Sequence, residues 1–158
     1  MSDNWIDNLA DKEHKQDAEQ LQDEKLRLHE AQVISEKGRG LWEDLVLVVQ
    51  RDVRRFEKDF PHDPKRIMEF NQVSPTCFRL SRHDHPSFSC NVEFHPKTAE
   101  IEFNFVQTSD DAAATSGWSG SLVIRVDADD NLYLNQYGRD FRNLDDVSKL
   151  FLEPVFRS

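Results

Sequence analysis

The sequence predicts an α+β protein: a long N-terminal helix, a five- to six-stranded antiparallel β-meander, and a short C-terminal helix packed on the same core. Three observations carry this. Residues 3–37 contain neither glycine nor proline. Apolar residues between 42 and 60 recur at three- and four-residue steps. From residue 66 the apolar period becomes two, and a helical spacing returns only at 144–153.

Residues 3–37 are rich in Asp, Glu, Lys, Gln, Leu and Ala, good helix formers. Asp11–Lys15 and Asp23–Arg27 are acid-first pairs four residues apart, the favourable orientation. Apolar residues are sparse: Trp5, Ile6 and Leu9 cluster near the start, and Leu21, Leu26, Leu28 and Val33 follow. Leu21/Leu28 and Leu26/Val33 each repeat at seven, but no heptad pattern persists. The segment is too polar to be buried along its length. Gly38-Arg39-Gly40 marks a break, a kink or a weak point in one continuous helix. Residues 1–40 therefore read as a polar helical arm, and 41–158 as a single α+β domain that survives removal of 1–36.

After the glycines the pattern is dense. Trp42, Leu45, Val46, Val49, Val53, Phe56 and Phe60 make an amphipathic stripe, and Pro61 and Pro64 end it. The run from Leu45 to Val49 is apolar nearly all round, which predicts contacts on two sides. The strands follow: 66–73, poorly patterned; 77–82; then Phe88, Cys90, Val92 and Phe94; Ile101, Phe103 and Phe105; Trp118, Gly120, Leu122, Ile124 and Val126; and Leu132 with Leu134. Alternation means one buried and one wet face, hence an antiparallel sheet. Residues 109–117 read as a polar loop. Asn143 is a helix N-cap with Asp145 and Asp146 in the first turn, Leu144, Val147, Leu150 and Phe151 face the core, and Pro154 limits the helix.

Composition narrows the function. Against 20 Lys and Arg stand 30 Asp and Glu, a net charge of −10. Residues 1–40 and 109–130 each carry −4 of it. That balance argues against nucleic acid, which needs a basic face, and against anionic membranes. No apolar run approaches a membrane span, and the first residues lack the basic and apolar parts of a signal peptide. Cytoplasmic is the expected location. Cys77 and Cys90 are too few for a disulfide framework, and strand parity sets them on opposite faces.

Each chemical candidate has a structural reading that fits better. Asp127, Asp129 and Asn131 space like the opening of a calcium loop, but Leu132 and Gly138 stand where it needs Gly and Glu. An acidic turn is the simpler account. His83, His85, His95 and His62 lack a second ligand pair and read as solvated imidazoles. Cys90 shares the face of Phe88 and Val92, so it is a quiet core thiol. Trp118 caps the core at a strand start. Arg51, Arg54, Arg55 and Lys58 are diluted by Asp52, Glu57 and Asp59 into an ordinary solvated helix face. No catalytic, cofactor or metal signature remains. The expected function is a non-catalytic protein-interaction or adaptor module using the arm, with Leu21, Leu26, Leu28 and Val33 as contact residues. Its partner is a protein with a basic surface, or a second copy. The alternative is a small apolar-ligand-binding domain with a pocket between sheet and helix.

Overall fold

The computed structural model describes residues 4–59, 68–82, 87–108 and 115–157. Helix α1 (Asn4–Asp59) is followed by strands β1 (Glu69–Ser74), β2 (Cys77–Arg82), β3 (Ser87–His95), β4 (Glu100–Thr108), β5 (Thr115–Val126), β6 (Leu132–Gln136) and β7 (Arg139–Phe141), and then by helix α2 (Leu144–Arg157). The seven strands form one antiparallel sheet in sequential order, β1 to β7. The chain is thus an α+β meander with both helices on one face.

The period-two residues build that face. Phe78 and Leu80, Phe88 to Phe94, Ile101 to Phe105, Leu122 and Ile124, and Leu134 are all buried in one cluster. Their neighbours along each strand point to the open face. The register joins Phe78 to Val92, Val92 to Phe103 and Phe103 to Gly120, so the apolar row runs unbroken across four strands. Trp42, Leu45, Val49 and Val53 of α1, and Val147, Phe151 and Val155 of α2, complete the core. The two helices also touch, and Arg51 of α1 pairs with Asp145 in the first turn of α2.

Trp42 is the principal anchor. It is 1 % exposed and stacks on Phe78 and Phe94, with ring centroids 5.4 and 5.7 Å away. Its indole Nε1 donates to the carbonyl of Pro75 at 2.8 Å, fixing the β1–β2 turn against α1. The buried indole thereby keeps a partner for its one polar group.

The helix is uninterrupted through Gly38 and Gly40, so of the readings open there the break is the one that falls. Gly38 is buried because α1 meets the sheet there: an added Cβ would lie 3.4 Å from the Ile34 side chain and 3.9 Å from the Phe94 ring. Its glycine is a contact residue, and flanking good helix formers carry the helix through it. As the run 45–49 predicts, α1 meets elements on two sides, the sheet and α2, with Leu47 left exposed.

A seventh strand exists because Tyr137 and Gly138 both adopt positive φ, 47° and 83°, the type I′ hairpin geometry. Helix α2 continues through Pro154 to Arg157. Proline near a helix end forfeits one backbone hydrogen bond, which burial of Val155 outweighs. β1 is poorly patterned because its pairing to β2 shifts between Gln72 and Ser74, a bulge that leaves Val73 exposed. The N-cap is present: Asn143 Oδ1 accepts the N–H of Asp145 at 2.9 Å.

The helical arm and the groove beside it

Helix α1 is about 84 Å long at 1.5 Å per residue, more than twice what the sheet can cover. Every residue from Asn4 to His29 is exposed. Trp5, Ile6 and Leu9 are 63, 50 and 50 % exposed, an apolar tip on a free rod. Leu21, Leu26 and Leu28 are also exposed, whereas Val33 is buried. The four expected contact residues are thus split: three lie on the arm and Val33 belongs to the folded body.

The arm becomes attached at His29, through the β5–β6 turn. Asp127 Oδ1 accepts the N–H groups of Asp129 and Asn131, both at 2.9 Å, and its Oδ2 receives Arg142 at 3.0 Å. These donors, the Asn131 N–H foremost, hold the Asp127 carboxyl below the usual carboxylate range. The turn so fixed presents Asp130 to α1. His29 Nε2 lies 2.8 Å from Asp130 Oδ1, and Lys37 Nζ donates to the Asp130 carbonyl at 3.2 Å. Arg125 and Glu30 pair beside them at 3.1 Å. The acidic turn that resembles a calcium loop in sequence is therefore a clamp for a helix. Among the described residues no three His, Cys, Asp or Glu side chains converge as metal ligands. His62, His83, His85 and residues 109–114 lie outside the described residues, while residues 115–117, expected in the loop 109–117, belong to β5.

Where arm and body join, a groove of about 600 Å³ opens between α1, the turns at 75–76 and 96–99, and β5. Ile34, Trp42, Phe94 and Ile124 give it an apolar floor. Arg27, Arg39, Lys97 and Arg125 line it, against a single acid, Glu30. Arg125 is neutralised by Glu30, and Arg39 reaches Glu43 at 3.4 Å. Arg27 and Lys97 have no ion-pair partner among the described residues. Four cations around an apolar floor are conspicuous in a chain of net charge −10.

Sequence reasoning did not find the cationic rim of this groove, because its cations come from α1, the β3–β4 turn and β5. One signal was available. Residues 4–24 hold seven acids and two bases, net −5, whereas 25–39 hold four bases and two acids, net +2. The helix is charge-segregated along its length.

The remaining candidates are structural. Cys77 and Cys90 are both free, Cys77 half-buried and Cys90 buried. Burial pushes both thiols up, Cys90 far more. Trp118 is 47 % exposed and stacks on Phe105 at 5.0 Å, closing one end of the aromatic core. No helix among the described residues is long and apolar enough to cross a membrane. Comparison with protein-family models, with curated proteins and with solved structures finds no match to this chain.

Proposed function

We propose that this chain is a non-catalytic, cytoplasmic protein-interaction module whose working part is the N-terminal arm. One observation carries the reading: residues 4–28 form a helix with no covering surface, tipped by exposed Trp5, Ile6 and Leu9. Helices gain most of their stability in proteins from packing an apolar face. A Trp, an Ile and a Leu held together in water at the end of a polar rod are the kind of anchors that fill a pocket on a partner. The acids around them, Asp7, Asp11 and Glu13, favour a partner surface that is basic.

The sheet edges offer less. β7 has three residues and β1 carries a bulge, both of which discourage strand addition. The test compares the full chain with its Trp5→Ala/Ile6→Ala/Leu9→Ala variant, as bait and in sedimentation. All three positions are exposed, so folding is unchanged. Loss of a bound partner, or a changed assembly state, is expected. Identical partners and assembly in both proteins would sink the reading.

A second reading rests on the groove. Its volume and its apolar floor under a cationic rim suit a small amphipathic carboxylate. Titrating decanoate while following tryptophan emission tests it, because Trp42 lines the floor.

A further inference from the structure

We infer that the arm's partner is a second copy of this chain: two α1 helices pair antiparallel about a two-fold axis at Gln20, and each seats its Trp5–Ile6–Leu9 tip in the other's groove. This rests on reading the arm as an interaction element, and adds the partner, the surface and the register.

The register follows from helical spacing. Steps of three and four place Leu9, Glu13, Gln16, Gln20, Glu24, Arg27, Ala31 and Ile34 on one stripe of α1. The same stripe continues through Gly38, Trp42, Leu45 and Val49, so it points to the sheet side, toward the groove. The stripe is symmetric about Gln20. Turned upon itself, it sets Leu9 against Ala31, Ile6 beside Ile34, Glu13 against Arg27, Gln16 against Glu24, and Gln20 against its own copy. Apolar meets apolar, acid meets base, and amides meet hydrogen-bonding partners. A two-fold interface requires this self-complementarity.

The surfaces are available and matched. Glu13, Gln16, Gln20, Glu24, Arg27 and Ala31 are exposed, and Ile34 is half-buried at the groove floor. The apolar tip, followed on the same stripe by Glu13, arrives at the groove where Arg27 and Lys97 have no counter-charge among the described residues. The separation also closes. From Ile6 to Ile34 is about 42 Å of helix, so antiparallel helices overlapping by roughly 30 residues bring both tips to both grooves at once. The antiparallel register sets Glu13 against Arg27, whereas the parallel one would set each against its own copy; residues 16–24, with four acids and no base, meet their own copy in either orientation.

The experiment is sedimentation equilibrium on the full chain and two single variants, Glu13→Arg and Arg27→Glu. Both positions are exposed, so neither change touches the core. The full chain is expected to be a dimer at micromolar concentration. Each variant alone places like charges opposite one another twice and should weaken association by tenfold or more. An equimolar mixture restores both opposite-charge pairs and should recover the dimer. Trp5→Ala/Leu9→Ala should weaken association without reference to charge.

A monomeric full chain at about 100 µM, or a dimer indifferent to Glu13→Arg and Arg27→Glu, or a mixture that fails to recover, overturns the inference. A monomer that loses a different protein partner when Trp5, Ile6 and Leu9 are replaced overturns the self-pairing and leaves the interaction module standing. A monomer whose tryptophan emission responds to decanoate assigns the groove to a small ligand instead.

Discussion

At the scale of single residues, the core depends on one missing side chain. Gly120 lies opposite Phe103, and a Cβ there would fall 2.6 Å from the Phe103 ring. That ring is itself wedged against Phe105 and Phe151, at 5.7 and 5.4 Å. It has nowhere to retreat. Gly120→Ala should therefore destabilise the protein by about 1–3 kcal/mol, as overpacking does, read as a lowered denaturant midpoint. A midpoint equal to that of the parent would show that Phe103 can move. The two thiols give a second residue-scale test. Cys77 pairs with Glu93 on the half-open face, while Cys90 pairs with Leu80 inside. A thiol reagent should modify Cys77 in the folded protein and Cys90 only at the rate of unfolding. Equal rates in the native state would contradict the burial of Cys90.

At the scale of elements, the β5–β6 turn stabilises more than its own hairpin. Asp127 organises the turn, and the turn's Asp130 holds His29 and Lys37 of α1. Because the folded Asp127 pKa is depressed, the carboxylate favours the folded state at all pH values above its unfolded pKa, ordinarily about 3.9. That contribution fades as the pH falls through the folded value and is gone below it. Replacing Asp127 by Ala should speed amide exchange at Asp129, Asn131 and along residues 29–37 at neutral pH. The difference between the two proteins should vanish once the acid is protonated. Unchanged exchange at neutral pH would mean that the turn holds without its carboxylate. The β6–β7 hairpin escaped sequence reading for a related reason: Tyr137 holds φ 47°, a conformation for which tyrosine gives no signal.

At the scale of the whole molecule, stability and assembly reside in different parts of one helix. Val49 is fully buried beneath both layers. Val49→Asp should cost several kcal/mol, comparable with a domain's entire stability, and abolish cooperative unfolding. A soluble, cooperatively folding mutant at normal yield would contradict the packing of α1 on the sheet. The arm should behave oppositely. Residues 4–28 carry no buried side chain, so at concentrations where the chain is monomeric the removal of 1–28 should leave the melting midpoint unchanged. Removing 1–36 also takes Val33, Ile34 and the pairs of His29 and Glu30, so it should lower the midpoint. Equal midpoints for the two truncations would mean that residues 29–36 contribute nothing to the fold.

By itself the sequence determined the helix–meander–helix order and the inward face of each strand, because periods of 3.6 and 2 are local properties of backbone geometry. Trp42 to Val53, Phe88 to Phe94 and Leu122 with Ile124 were legible as core for that reason. It also determined the polar character of the arm and the opposite faces of Cys77 and Cys90. Only the tertiary structure decided that α1 continues unbroken through Gly38, which is buried against the sheet, and that Val33 is body and not arm. The cationic rim of the groove was likewise invisible. Arg27, Lys97 and Arg125 are separated by up to 98 positions in the chain, and a concavity belongs to the packing of elements, which no local pattern encodes.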